Sequence, residues 1–132
     1  MRLLLDTNVA IDILTNRQPF CDDSISCYKK AVLRGDKVFI STVSVADIMY
    51  ITKNNFSDRA NQLETVSNFI NTLKIAKITS KDLRFAFAGT MTDFEDALQA
   101  HCAKRYRIKY IITRNAKDFG LSPVKAIEPC DF

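Results

Sequence analysis

The clearest structural signal in this 132-residue chain is the run Leu3-Leu4-Leu5-Asp6-Thr7-Asn8-Val9. Three consecutive leucines are typical of a strand that is buried on both faces, as in a parallel sheet covered by helices. The run then changes abruptly to an acid and two small polar residues. In open α/β folds, ligands bind beyond the carboxyl ends of the strands, so this stretch predicts both a sheet and the edge that carries its chemistry.

Strands and helices alternate along the rest of the chain. Further short apolar runs predict strands at 38–40, 74–78, 110–113 and 124–127. Helices are predicted at about 21–33, 42–53, 58–73, 81–88 and 94–106, the third of them from its amphipathic spacing. Such alternation implies right-handed crossovers and a parallel sheet with helices on both faces. We therefore predict one domain over residues 1–132, an α/β fold built as a three-layer α/β/α sandwich around about five parallel strands.

Composition narrows the class of protein. Hydrophobic residues make up 47% and charged residues 26%, which is typical of a globular domain rather than a disordered one. No apolar run approaches the roughly 20 residues that cross a bilayer, and no signal peptide is recognisable, so a cytoplasmic protein is expected. The four cysteines form no Cys-x-x-Cys pair and there is one histidine, His101, which makes a zinc site or a disulfide scaffold a poor interpretation.

Carboxylates collect at the predicted strand ends. Asp6 follows the first strand, and Asp47 lies about one turn into the helix after the second strand. Asp118 follows the fourth strand, and the long helix that precedes this strand begins with Asp93 and Asp96. Each alone could be a helix cap or a solvated acid. Together they would repel one another unless a divalent cation joined them, and oxygen ligands suit Mg²⁺ or Mn²⁺. Such a site favours phosphoryl chemistry.

Three segments carry a resemblance to a known family. They are the opening run at 3–9, the segment Asp93–Ala100 and the segment Ile112–Phe119. In this order and spacing they resemble PIN-domain proteins, of the kind that includes VapC-type ribonuclease toxins. The resemblance implies a metal-dependent endoribonuclease in which metal-activated water attacks the RNA phosphorus. The acids that would hold the ion and the polar residues that would support them are Asp6, Asp47, Asp96, Asn115, Thr7, Asn8 and Thr113.

Two positions depart from the family pattern. The second acid is Asp47, where the family more often has Glu, and the fourth position is the neutral Asn115, where it usually has Asp. The loss of one charge puts a second tightly held ion in doubt. Asp93 and Asp118 are the candidates to compensate, and Asp93 is preferred because it shares a helical face with Asp96. A catalytically weak or inactive PIN-fold module that binds RNA or protein is therefore the alternative.

Basic residues suggest where RNA would lie. The net charge is +4, and six bases with no acid occur between Lys104 and Lys117. Such a run is often only a solvated face, but it is also a candidate phosphate-binding rim, with Arg105, Arg114 and Lys117 as the predicted RNA contacts. His101 lies inside the predicted long helix, where a packing or surface role is expected.

Partners follow only from the resemblance. It implies an antitoxin whose segment covers the acidic groove, and a homodimer. Other folds with aspartates at strand ends fit less well: a receiver domain needs an acceptor Asp after the third strand, where Thr79-Ser80 stand, and a haloacid-dehalogenase-type phosphatase needs a second Asp where Asn8 stands. Dinucleotide and P-loop folds lack their glycine-rich fingerprint here.

Overall fold

The computed structural model describes residues 1–132 and contains one five-stranded sheet. All strand pairs are parallel, in the order β3-β2-β1-β4-β5. In chain order the strands are β1 (Arg2–Leu5), β2 (Lys37–Ser41), β3 (Lys74–Ala76), β4 (Tyr110–Ile112) and β5 (Ala126–Ile127). Leu5 pairs with Ile40 on one side and with Ile112 on the other. The three central strands therefore end at the same level.

Helices cover both faces of the sheet. They are α1 (Thr7–Thr15), α2 (Cys21–Leu33), α3 (Thr42–Ile51), α4 (Arg59–Ile70), α5 (Ser80–Ala88) and α6 (Phe94–Arg105), with two short 3₁₀ helices at Ala116–Phe119 and Pro129–Asp131. Leu3 and Leu5 belong to the core formed with α1 to α4, whereas Leu4 belongs to the core that includes residues of α6. This alternation is the period of two expected for a strand buried on both faces. The predicted three-layer α/β fold is confirmed.

The main error in the predicted elements was the omission of α1. This helix begins directly after β1, because the Asp6 side chain accepts a hydrogen bond from the Thr7 N–H and caps it. It ends at Asn16, whose left-handed backbone (φ 50°) stops the helix. It has nine residues, fewer than the roughly 11–18 over which a helical period is usually read, so its pattern was missed. The other helices and strands lie within about three residues of their predicted bounds, as is usual at element ends.

Two further features of the structure concern membrane-spanning helices and the cysteines. No helix combines the length and the apolar character that a membrane crossing needs. All four cysteines are free thiols; Cys21, Cys27 and Cys102 are buried, and Cys130 is exposed.

Candidate active site

An acidic groove opens where β1, β2 and β4 end. Because these strands are in register, the residues that follow them, Asp6 and Thr113, meet beside Ser41 at one edge of the sheet. The groove has a volume of about 580 Å³. Its lining consists of six acids (Asp6, Asp47, Asp93, Glu95, Asp96, Asp118), four other polar residues (Thr7, Asn8, Arg17, Asn115) and three apolar ones (Ile11, Tyr50, Ile51).

Asp6 is the most tightly held acid of the groove. One carboxylate oxygen accepts from the Thr7 N–H (2.7 Å) and from Gln99 Nε2 (2.9 Å). The other accepts from Thr113 Oγ1 (2.6 Å) and from Asn8 Nδ2 (3.2 Å). Burial raises the pKa of Asp6, although the hydrogen bonds from Thr113, Thr7 and Gln99 oppose that rise. Four donors therefore fix the orientation of this carboxylate from three separate elements.

Gln99 ties α6 to the strand ends. Its side chain, only 1% exposed, donates to Asp6 and accepts from the hydroxyls of Ser41 (3.1 Å) and Ser44 (3.3 Å). Thr7 donates to Ser44 at 2.8 Å, which closes the network behind the groove. Because every member of the network is buried, each donor and acceptor depends on its neighbours for a partner.

Replacing Gln99 by Leu is expected to lower the free energy of unfolding by about 2–3 kcal/mol, because Ser41 and Ser44 lose an acceptor and buried Asp6 loses a donor. Urea denaturation measures this loss. The exposed Gln18 allows the same substitution as a control, for which a change within about 0.5 kcal/mol is expected. Equal effects of the two substitutions would show that the network does not stabilise the fold.

The remaining carboxylates interact strongly with one another. Burial, then the negative charges of Asp6, Asp93 and Asp118, raise the pKa of Asp96 to about 7. A hydrogen bond between the carboxyl groups of Glu95 and Asp47, then burial and the neighbouring acids, raise the pKa of Glu95 to about 8. Asp93 also caps α6, accepting from the Asp96 N–H at 2.9 Å. The groove therefore contains more negative charge than its own residues can balance.

The structure brings together most of the residues singled out from the sequence. Asp6, Thr7, Asn8, Asp47, Asp93, Asp96, Asn115 and Asp118 all line the groove, and Thr113 lies directly behind Asp6. Sequence reasoning missed Glu95, Gln99 and Arg17. The first two could have been found, because positions 95, 96 and 99 share one face of α6. Arg17 follows α1, the helix that was also missed.

The three basic residues predicted to contact RNA, Arg105, Arg114 and Lys117, do not line the groove. Arg105 lies at the far end of α6 from Asp96, where its guanidinium binds the buried Asp82 at 2.7 Å. Arg114 binds the buried Asp12 at 2.7 Å and packs over the Phe20 ring. Lys117 is exposed but does not line the groove, and His101 stacks on Phe85. RNA contacts by Arg105, Arg114 and Lys117 stay a prediction, and the first two have clear intramolecular partners.

The donor chemistry of the groove fits a hard divalent cation. Its ligand groups are carboxylate and amide oxygens, and the raised pKa values of Glu95 and Asp96 reflect unbalanced negative charge that a cation would remove. No three of the side chains are placed so that they enclose an ion at once. The groove therefore has suitable ligands without a closed coordination cage.

The chain is therefore a parallel α/β sandwich with an acidic groove at the carboxyl edge of its sheet, the edge at which open α/β folds bind their ligands. A family model described as the PIN domain matches residues 2–117, so the chain belongs to the PIN domain family. No curated protein matches the chain.

Solved structures share the fold. A chain of VapBC2 from Rickettsia felis, bound to a DNA fragment from its promoter, is 19% identical with a TM-score of 0.76, over 97% of this chain and 98% of that one. A toxin-antitoxin complex from Klebsiella pneumoniae matches at 23% identity and TM-score 0.71, over 96% and 97%. VapC20 from Mycobacterium tuberculosis, a sarcin-ricin loop cleaving toxin, is 11% identical with a TM-score of 0.67, over 92% of this chain and 98% of that one.

Proposed function

We propose that the chain is a metal-dependent endoribonuclease that hydrolyses RNA phosphodiester bonds at the acidic groove. The observation that carries the proposal is the convergence of six carboxylates, contributed by separate parts of the chain, on one groove at the carboxyl edge of the sheet. Membership of the PIN domain family supports it. So does the likeness of fold to VapC20, which cleaves the sarcin-ricin loop.

Asp6, Asp47 and Asp96 would hold Mg²⁺ or Mn²⁺, with Asp93 and Asn115 beside them. A bound ion would supply the positive charge that activates water and neutralises the scissile phosphate. Asp6 serves as the fixed anchor, because its four hydrogen bonds prevent it from turning away. Since no cage is preformed, Asp47, which is more accessible than Asp6, would have to turn toward that anchor to share an ion with it.

Glu95 belongs in the same site. Its carboxyl group meets that of Asp47, the residue that is one methylene shorter than the Glu common in the family. The two side chains reach the groove from α6 and α3 respectively. Once a bound cation had lowered its pKa, a deprotonated Glu95 would supply the negative charge that the neutral Asn115 leaves out.

The biological role we propose is that of a toxin in a toxin-antitoxin pair, acting in the cytoplasm and assembling as a homodimer. Its support is the likeness of fold to a toxin-antitoxin complex from Klebsiella pneumoniae and to the toxin VapC20 from Mycobacterium tuberculosis. An antitoxin segment bound over the groove would block RNA and place cationic side chains against the acids.

Cleavage of labelled structured RNAs by the purified protein tests the nuclease. We expect cleavage with Mg²⁺ or Mn²⁺ and none with EDTA. Cleavage that survives EDTA would contradict the metal mechanism, and absence of cleavage with both metals would favour the non-catalytic alternative. Induced expression without a partner tests the toxin: unimpaired growth despite intact protein would contradict that role.

Thermal stability without metal is expected to fall by a few degrees between about pH 6.5 and pH 8. Asp96 and Glu95, with pKa values of about 7 and about 8, hold protons in the folded state that the unfolded chain has already lost. The free energy of unfolding therefore falls as pH rises through those values. The lowered pKa of His101 acts in the opposite direction, but only below its unfolded value of about 6.5.

Millimolar Mg²⁺ or Mn²⁺ is expected to raise the melting temperature more at the higher pH, since deprotonated carboxylates bind the ion. Differential scanning fluorimetry measures both effects. Glu95→Gln should reduce the pH dependence, whereas Glu64→Gln, at an exposed position of α4, should leave it unchanged. A melting temperature that rises from pH 6.5 to pH 8 without metal would contradict the charge balance described here.

A further inference from the structure

Arg17 is the one cation that lines the acidic groove. The six acids around it would repel an RNA strand, even after a divalent ion had balanced two of their charges. A substrate phosphate therefore needs a positive group in the groove itself. Neither Arg105 nor Arg114 meets this need, because each is bound to a buried aspartate.

The backbone of Arg17 is fixed. Its N–H donates to the Asp12 carbonyl (3.2 Å), and its own carbonyl accepts from the N–H groups of Phe20 (3.0 Å) and Cys21 (2.8 Å). The residue thus joins the end of α1 to the beginning of α2. The side chain starts from a defined point beside the groove, which reduces the entropy lost when it binds a ligand.

The guanidinium of Arg17, in contrast, has one loose ion pair and no hydrogen bond. Its nearest acid is Asp12, at 3.7 Å, which is too long for a hydrogen bond. Arg114 already occupies both oxygens of Asp12, at 2.7 Å and 3.4 Å. The Arg17 side chain is 42% exposed and makes no hydrogen bond within the chain. Its planar fork of donors remains available for the two oxygens of a phosphodiester.

We infer that Arg17 binds a backbone phosphate of the RNA substrate in the groove and so orients the strand across the carboxylates. This inference rests on the proposed nuclease function. It assigns to Arg17 the phosphate contact that the basic run between Lys104 and Lys117 was expected to provide. Because a phosphate contact carries no base information, Arg17 would affect affinity for all RNA sequences alike.

Binding of a labelled single-stranded RNA, measured by fluorescence anisotropy over a range of salt concentrations, tests the inference. The Asp6→Asn background, measured without metal, keeps the RNA intact and removes one negative charge from the groove. Arg17→Gln should weaken binding about tenfold. It should also reduce the slope of log affinity against log salt by about 0.7, the loss of one phosphate contact. Arg17→Lys should keep the slope and recover part of the affinity.

Arg34 offers a matched control. Its side chain is 43% exposed and has one loose ion pair, to Asp36 at 3.5 Å, much like that of Arg17, but it precedes β2 at the opposite edge of the sheet. Arg34→Gln should therefore change RNA affinity less than about twofold. Equal effects of Arg17→Gln and Arg34→Gln would overturn the inference.

The two proposals fail in different ways. Metal-dependent cleavage by the unmodified protein, combined with an Arg17→Gln variant that binds RNA normally, overturns the assignment of Arg17 and leaves the nuclease intact. A protein that neither binds nor cleaves RNA overturns the nuclease function, and the assignment of Arg17 falls with it.

Discussion

Replacing Asp6 by Asn is expected to reduce RNA cleavage by about 100- to 1000-fold, the scale on which loss of one preorganised charge-stabilising group acts. Asn keeps the shape of Asp but removes the negative charge, and its single acceptor oxygen cannot serve all four donors. The anchor for the ion is then lost while the sheet edge is preserved. Initial rates of cleavage with saturating Mg²⁺ measure the effect.

The same variant separates loss of chemistry from loss of fold. Asn at position 6 removes a buried negative charge but leaves some of the four donors without an acceptor, so the melting temperature of the metal-free protein should change by no more than a few degrees. The stabilisation by Mg²⁺ should disappear. Asp22→Asn, at an exposed position of α2, should keep both cleavage and Mg²⁺ stabilisation. Full cleavage by Asp6→Asn would show that the mechanism does not need the carboxylate of Asp6.

The fold could be predicted because its decisive signal is local. Leu3, Leu4 and Leu5 are apolar in succession, and only a strand covered on both faces buries all three. Parallel pairing then places Asp6 and Thr113 at one edge whatever the exact register of the outer strands. For this reason the acids of the groove could be identified from residues that are far apart in sequence.

The partners of charged side chains could not be predicted in the same way. Arg105 and Arg114 look alike in the sequence as members of a basic run, yet both are neutralised by acids, Asp82 and Asp12, that come from distant helices. Conversely, Arg17 has no basic neighbours to mark it. Whether a charge is free or paired depends on tertiary contacts, which hydrophobic periodicity does not report.

Replacing Arg114 by Met is expected to lower the free energy of unfolding by about 3–5 kcal/mol, because it leaves the carboxylate of Asp12 buried without its main partner. The Asp12 side chain is fully buried, and Arg114 is the residue that hydrogen-bonds it from a side chain. The cation–π contact with Phe20, 4.0 Å from the ring centroid, is lost as well. Urea denaturation of the two proteins gives the difference.

Two comparisons identify the buried charge as the cause. Arg84→Met makes the same change at an exposed position of α5 and should cost less than about 0.5 kcal/mol. Adding Asp12→Leu to Arg114→Met removes the stranded charge and should recover part of the lost stability. A loss below about 1 kcal/mol for Arg114→Met alone would mean that Arg17 moves in to pair with Asp12. In that variant Arg17 would no longer be available to a phosphate, so the stability measurement also bears on how the groove binds RNA.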